Sequence, residues 1–255
     1  GNDERYSESR DYNFNEIVSV HEYDLEDKKW KQIGSDIKLE IKAVEFKAVS
    51  ISLSGNGKRL AIGSPITHNN AGSVIVYELN EKEWNKLGSE IIGETEGEHS
   101  GYSVTLDKIG SSVAIGSPYD KKFNGCVRVY EYKLDKNVWD RKGSDINGGN
   151  SELCGNSVSF SGDGTRLAIG CPINNENGEQ CGQVRVLEYN QSKEVWEKLG
   201  DYINGESAGD NSGWSGLSLS GDGNHVAIGA TFNNGDSEHE ENNNNNTGQV
   251  RIFEY

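Results

Sequence analysis

The sequence predicts an all-β protein, a β-propeller of four-stranded blades with a repeat of about 55 residues. Two observations predict it. First, "RLAIGSP", "SVAIGSP", "RLAIGCP" and "HVAIGAT" begin at Arg59, Ser112, Arg166 and His225, which lie 53, 54 and 59 residues apart. Second, the same order of four short segments surrounds each match, and no stretch shows the 3.6-residue period of an amphipathic helix. Blades of this kind bury their faces against neighbouring blades around a central axis.

The first segment of each unit alternates polar and apolar residues and stops at glycine, as in "VSISLSGNG" and "NSVSFSGDG". This period of two predicts a strand with one buried face. The second segment is the Ala-Ile-Gly run. The third is rich in β-branched and aromatic residues, which favour strands. It lies at Val18 to Tyr23, Val74 to Leu79, Val127 to Tyr132, Val184 to Tyr189 and Val250 to Tyr255.

The fourth segment carries one tryptophan followed by a glycine. The tryptophans are Trp30, Trp84, Trp139 and Trp196. Their equivalent placement in every unit favours packing between blades over a ring of glycan-stacking platforms, because large aromatic side chains dominate core burial. A glutamate also recurs in the third segment. We expect these glutamates to form cross-strand ion pairs with residues such as Arg128, Arg185 and Arg251.

The domain prediction is an N-terminal extension over 1–16 and propeller repeats over 17–255. The units lie near 17–40, which is partial, and near 49–92, 102–147, 155–204 and 214–255. The chain starts and ends on a third segment, which fits either a four-bladed ring with an extra strand or a section of a longer array. The absence of methionine favours the second, a processed or excised piece. Open ends would expose sheet edges and inter-blade faces.

The chain is acidic, with a net charge of −16 distributed along its whole length. This charge argues against nucleic acids and anionic membranes as partners. No apolar run approaches the roughly 20 residues that span a bilayer, so no membrane insertion is predicted. The expected partners are proteins or glycans, including further copies of the chain.

The four cysteines are Cys126, Cys154, Cys171 and Cys181. Cys171 and Cys181 flank one loop whose ends must meet if the flanking strands pair, so we predict a disulfide between them, with Cys126 and Cys154 as a second pair. The alternative is buried free thiols in a cytosolic protein. Asn190 and Asn245 begin N-glycosylation sequons in predicted loops. Disulfides and sequons together predict a secreted or cell-surface protein.

The repeat resembles the FG-GAP family, the units of the integrin alpha-chain propeller. "SGYSVTL", from Ser100 to Leu106, stands where the family has its Phe-Gly segment, and "IGSP" and "IGCP" stand for its Gly-Ala-Pro. The resemblance covers about Ile17 to Tyr255 and implies a propeller fold. Propellers serve binding, structural and catalytic roles alike, so it implies no single function.

Calcium-binding members of that family have an Asp-rich loop between the first two strands. The corresponding turns here are "SGNGKRL", "DKIGSSV", "SGDGTRL" and "SGDGNHV". Each has at most one acid, whereas calcium takes about six to eight oxygen ligands. We therefore predict hairpin turns in which glycine takes a positive φ, with no metal site and no cofactor.

Few residues depart from the repeat. Trp214 stands alone before a first strand and is a candidate ligand contact, and the enlarged loop from Asn233 to Gly248 is a candidate cation or partner site through Asp236, Glu238, His239 and Glu240. The histidines show no metal-ligand spacing, and no serine lies in a nucleophile elbow. The predicted function is a non-enzymatic extracellular scaffold, structural and adhesive, that uses its blades and loops for protein–protein contact or self-association. The alternatives are a lectin-like propeller and a glycoside hydrolase that uses an acidic pair.

Overall fold

The computed structural model describes residues 15–40, 50–233 and 247–255. Within these residues the protein is all-β, with 20 strands arranged as successive antiparallel sheets of a β-propeller. Two helical turns of four residues each, α1 (Thr67–Asn70) and α2 (Asp120–Phe123), lie between second and third strands. The described part of the chain holds no helix with the length and apolar character needed to cross a membrane. The predicted fold class is confirmed.

The sheets follow one another along the chain. A hairpin of β1 (Asn15–Asp24) and β2 (Lys29–Glu40) comes first. The first blade contains β3 (Ser50–Leu53), β4 (Arg59–Ser64), β5 (Ser73–Asn80), β6 (Glu83–Lys86) and β7 (Ile91–Ile92). The second blade contains β8 (Ser103–Leu106), β9 (Ser112–Ser117), β10 (Cys126–Lys133), β11 (Val138–Arg141) and β12 (Ile146–Asn147).

The third blade contains β13 (Ser157–Phe160), β14 (Arg166–Cys171), β15 (Gln183–Asn190), β16 (Val195–Lys198) and β17 (Ile203–Asn204). The fourth blade contains β18 (Ser212–Leu219), β19 (His225–Ala230) and β20 (Gln249–Glu254). The fourth strand of each complete blade is broken into two pieces, both paired with the third strand. Each break contains a glycine with positive φ, such as Gly88 at 71°.

The first strands of successive blades pack side by side, with β3 against β8, β8 against β13 and β13 against β18. A hydroxyl on each first strand accepts a backbone hydrogen bond from the next one. Ser52 Oγ accepts from Leu106 N at 2.9 Å, Thr105 Oγ1 from Phe160 N at 3.3 Å and Ser159 Oγ from Leu219 N at 2.9 Å. These bonds fix the spacing of neighbouring blades.

The hydrophobic core lies between sheets. One cluster joins Val74 and Val76 of the first blade to Val104, Val113 and Ile115 of the second. Equivalent clusters lie at the hairpin–first, second–third and third–fourth junctions. Each blade therefore buries its apolar side chains against the neighbouring blades, as the repeat predicts.

The turns between first and second strands have the predicted form. Gly57, Gly110, Gly164 and Gly223 adopt φ of 66° to 73°. In the third blade, Asp163 Oδ1 accepts hydrogen bonds from Ser161 Oγ at 2.7 Å and Thr165 N at 3.0 Å. The acid closes the turn with its own side chain, which is a common role of aspartate in turns.

Two third-strand glutamates form the predicted cross-strand ion pairs, but with other arginines than the ones named. Glu78 pairs with Arg59 at 2.8 Å and Glu188 with Arg166 at 3.0 Å, both on the second strand. The register places them directly opposite each other. Arg128 and Arg185 instead reach acids in the loops before the first strands, because alternate residues of a strand project to opposite faces.

The predicted cysteine pairing is wrong. The disulfide joins Cys154 to Cys171, with Cα atoms 4.0 Å apart, and the buried Cys126 and Cys181 are not part of it. The register of β14 and β15 places Gln183, two residues beyond Cys181, opposite Cys171. Disulfides persist in oxidising compartments, so this bond supports the coarser part of the localisation prediction, a secreted or periplasmic protein.

Candidate interaction site

At the interior junctions, the backbones of successive blades approach each other closely at glycines. A Cβ atom added to Gly116 would lie 2.0 Å from the carbonyl oxygen of Gly155 in the following blade. Gly63 and Gly170 are equally confined, at 2.2 Å from the carbonyls of Gly101 and Gly213. Because no side chain fits in such a gap, glycine is required here for the blades to approach.

A second glycine of each blade, just before the third strand, is confined in the same way by the backbone of the next blade. Isolated parallel bridges join Gly72 to Ser100, Gly125 to Cys154 and Gly182 to Ser212. A Cβ atom on any of these glycines would lie within 2.1 to 2.2 Å of the backbone of its bridge partner. Each blade thus presents two bare backbone positions to the segment that begins the next blade.

The fourth blade carries the same features on a surface that the described residues leave exposed. We call this surface the open face and define it by Ser218, Gly248, Val250 and Ile252. Val250 and Ile252 are 71% and 72% exposed. The residues equivalent to Val250, which are Val74, Val127 and Val184, are all 0% exposed. The predicted exposure of an inter-blade face at a chain end is therefore found here.

The first strand of the first blade shows the matching exposure. Ile51 and Leu53 on β3 are 59% and 46% exposed. Their counterparts Val104 and Leu106 on β8 are 8% and 7% exposed. The hairpin covers only the outer part of the first blade, where Val20, Ile37 and Leu39 pack on Leu60 and Ile62.

The end of the propeller that bears the 2–3 strand loops and the links between blades holds several aromatic residues. We call it the loop face and define it by the segments 66–72, 93–102, 118–125, 148–156, 172–182 and 205–214. His99 lies 4.9 Å from the Tyr119 ring, and the Tyr119 ring lies 5.9 Å from Tyr102 and 5.8 Å from Phe123. Burial lowers the pKa of the His99 imidazole, so the ring is neutral at pH 7.

Beneath this cluster lies a buried charge network. Arg128 Nη1 contacts Glu98 Oε1 at 2.5 Å and Arg128 Nη2 contacts Asp120 Oδ2 at 3.3 Å. The three side chains are 3%, 0% and 2% exposed. Glu98 also accepts from Glu94 N and Thr95 N, which ties the link between the first and second blades to Arg128. The network is arranged to hold these loops in place.

The predicted site residues differ in where they lie in the structure. Trp214 is half-buried and contacts Phe232, with ring centroids 6.4 Å apart, on the loop face. Asp236, Glu238, His239, Glu240 and Asn245 lie outside the described residues. Asn190 is half-buried, and its side-chain nitrogen donates to Glu197 Oε2 at 2.9 Å, so the sequon amide is already engaged.

The tryptophan prediction is confirmed for two residues. Trp84 and Trp139 are 7% and 9% exposed and lie between blades, so they are unavailable as glycan platforms. In the described residues, donor atoms of Glu152, Cys154 and Cys171 lie within 4.8 Å of one another, a spacing that would suit a metal ion. The two sulfur atoms are bonded to each other, however, and a disulfide supplies no thiolate ligand.

Sequence reasoning missed the Arg128 network, and although it predicted an exposed inter-blade face, it did not identify the residues that form the open face. The available signal for the first was the arginine that recurs at 128, 185 and 251 in place of Ile75 of the first blade. The signal for the second was the glycine pair, Gly229 and Gly248, kept in the last unit. Both signals acquire meaning only once the packing of blade on blade is known.

Comparison with known proteins shows the fold. No family model matches the chain, and no curated protein is significantly similar to it in sequence. A proposed 6-phosphogluconolactonase from Bacteroides fragilis is 13% identical, with a TM-score of 0.55, over 93% of this chain and 60% of that structure. The periplasmic gluconolactonase of Pseudomonas aeruginosa is 14% identical, with a TM-score of 0.53, over 92% and 62%.

TolB from Acinetobacter baumannii is 14% identical, with a TM-score of 0.46, over 93% of this chain and 49% of that structure. The chain thus spans about half to two-thirds of the length of these solved structures. The resemblance to the FG-GAP family stays a prediction. The prediction that the chain is not an enzyme is corrected, because its fold is shared with propellers named as gluconolactonases.

Proposed function

We propose that this chain is a protein-binding propeller scaffold whose open face packs against a propeller blade of the same repeat, carried by a partner. The observation behind the proposal is the exposure of Val250 and Ile252, 71% and 72%, at positions that the next blade covers completely or nearly so in the first and second blades. Burying two such side chains contributes about 1.5–3 kcal/mol each.

The other residues of the open face support the same occupant. Ser218 is exposed and is the counterpart of Ser159, whose hydroxyl accepts a bond from the next blade. Among the described residues, the atoms within 4 Å of a Cβ added to Gly248 are the carbonyl oxygens of Thr231 and Ala230, at 3.5 and 3.8 Å. A blade whose first strand follows a small residue and a glycine, like Ser212 and Gly213, fits these positions.

The test compares the chain with a version lengthened after Tyr255 by a second copy of residues 190–255. We expect Val250→Asp to change the free energy of unfolding by under about 0.5 kcal/mol in the original chain. In the lengthened chain the same substitution buries a charge, and we expect a loss of at least about 3 kcal/mol. Urea denaturation measures both. Leu134→Asp, at a turn residue that is 81% exposed, is the control. Equal effects of Val250→Asp in both chains would count against the proposal.

A second candidate function is hydrolysis of a small ester or lactone at the loop face. Two observations favour it: the neutral, half-buried His99 beside Tyr119, and the shared fold with propellers named as gluconolactonases. A neutral imidazole in an apolar surrounding suits a general base.

The test is hydrolysis of glucono-δ-lactone by the full chain, followed in a pH-stat against the uncatalysed rate. We expect His99→Gln to lower the rate at least about 100-fold, while His225→Gln, at a histidine outside the loop face that lies 3.7 Å from Glu254, leaves it unchanged. Because burial lowers the pKa of His99 from 6.5, activity should persist below pH 6.5 before protonation abolishes it. A rate equal to the uncatalysed one would eliminate this candidate.

A further inference from the structure

Lys142 occupies a position that is apolar in the other fourth segments. It directly precedes the glycine of its segment, where the others have Ile33, Leu87 and Leu199. Leu87 is 8% exposed and packs in the core between the first and second blades. Lys142 is half-buried at the next junction, between the second and third blades, and its carbonyl accepts from Trp196 Nε1 at 2.9 Å. An amine thus lies where the repeat otherwise has a hydrocarbon side chain.

The contacts of this amine are those of an arginine at the neighbouring junctions. Arg59 Nη1 donates to the carbonyl of Gly110, in a turn of the next blade, at 3.1 Å, and Arg166 makes the equivalent contact at 3.2 Å. The second blade has Ser112 at this position, and there Lys142 Nζ donates to the equivalent turn carbonyl at 3.2 Å. A third-strand tyrosine ring lies 5.0 Å from Nζ, as it lies 5.3 and 5.5 Å from the two guanidinium carbons. Lys142 therefore replaces the arginine with a cation that can lose its proton.

The surroundings of Lys142 favour the neutral amine. Its Nζ contacts the carbonyl of Gly164 at 3.2 Å and Ser112 Oγ at 3.5 Å, neither of which carries a charge. Burial has the largest effect on the pKa of Lys142 and lowers it. The charged groups around it have smaller effects on this pKa, which is raised by Glu131, Asp107 and Asp163 and lowered by Lys133. More of this lysine is therefore unprotonated at pH 7 than of an exposed lysine.

A cavity of about 370 Å³ lies beside Lys142, between the second and third blades. This volume is in the range of sites that hold small organic molecules. Two other cations line the cavity, and both are ion-paired: Lys133 with Glu131, and Arg141 with Asp145 at 2.7 Å. The hydrogen bond to Glu131 raises the pKa of Lys133. The cavity thus holds two amines of opposite character, of which Lys142 is the nucleophile.

We propose that Lys142 is a covalent modification site that takes small aldehydes from this cavity. Nζ attacks the carbonyl carbon, the nitrogen forms a double bond to that carbon, and the carbonyl oxygen leaves as water with the two amine protons. The product is an imine, and no oxidant or reductant is consumed. Desolvated lysines form imines with carbonyl compounds in this way, and the cavity volume restricts them to small ones. The site goes beyond the proposed function, because it lies outside both the open face and the loop face.

The test is incubation of the full chain at pH 7 with propionaldehyde and cyanoborohydride, which reduces the imine to a stable secondary amine. Mass spectrometry of peptides gives the labelling rate of each lysine. We expect Lys142 to be labelled at least about tenfold faster than Lys133, because one unit of pKa changes the amine fraction about tenfold. In the urea-denatured chain the two rates should become similar, because the burial that separates them is lost.

Lys142→Arg is the matched control, because arginine makes the equivalent contacts at the neighbouring junctions and forms no imine under these conditions. We expect it to leave the urea midpoint and the labelling of Lys133 unchanged. Labelling of Lys142 no faster than that of Lys133 in the folded chain would overturn the proposal, as would a preference that persists in urea. The comparison of the two lysines uses the unaltered chain, so it decides even where the variant does not fold. It also involves neither Val250 nor His99, so this proposal and the proposed function fail separately.

Discussion

Replacement of Arg128 by leucine is expected to lower the free energy of unfolding by about 3–5 kcal/mol, one of the two largest effects we anticipate in this protein. The guanidinium is 3% exposed and contacts Glu98 and Asp120, which are 0% and 2% exposed. Removing it takes a cation away from two buried carboxylates. Urea denaturation followed by circular dichroism measures the loss.

The matched control is Arg141→Leu. Arg141 lies on β11 of the same blade, its side chain is 30% exposed, and it pairs with Asp145 at 2.7 Å. Solvent screens this pair, so we expect a loss of no more than about 1 kcal/mol. Adding Glu98→Gln to Arg128→Leu should recover part of the stability, because it removes one uncompensated charge. Equal losses from the two arginine substitutions would show that burial of the network contributes nothing.

Replacement of Trp139 by alanine is expected to cost about 3–5 kcal/mol. The indole is 9% exposed between the first and second blades, and its N–H donates to the carbonyl of Leu87 at 2.9 Å. The substitution opens a cavity at a blade junction and leaves that carbonyl without its donor. The change in urea midpoint at constant m-value gives the magnitude.

Trp30→Ala is the control for Trp139→Ala, because the two residues occupy the same place in the repeat. Trp30 is 69% exposed and contacts only the neighbouring ring of Tyr23 among the described aromatic pairs, at 5.4 Å. We expect it to cost under about 1 kcal/mol. A comparable loss at both positions would contradict the view that Trp139 stabilises the protein by packing against the preceding sheet.

The open face repeats the residue pattern of the interior blade junctions. In the interior of the propeller, each blade meets the next through a covered valine pair, bare glycines and an inserted indole. On the fourth blade the same residue types occur with the valine–isoleucine pair exposed. Because the blades repeat, the interior junctions show which surface of a blade the next blade normally covers.

Much of the fold was predictable from the sequence because its signals are local. The alternation in "NSVSFSGDG" predicts β13, the glycines of its turn predict a positive φ, and β-branched residues predict β15. The equivalent placement of Trp84 and Trp139 predicts their burial. The break in each fourth strand at residues such as Gly88 was not predicted, since one glycine near a strand end has no distinctive local signature.

By itself, the sequence determined the strand order, the turn chemistry and the residues that recur at blade junctions, because these depend on neighbours within a few positions of the chain. Only the tertiary structure decided that Cys171 bonds to Cys154, that Arg128 faces Glu98, and that Val250 is exposed while Val184 is covered. The physical reason is that strand register and blade packing bring together residues far apart in the chain. Identical local sequences can therefore end in different surroundings.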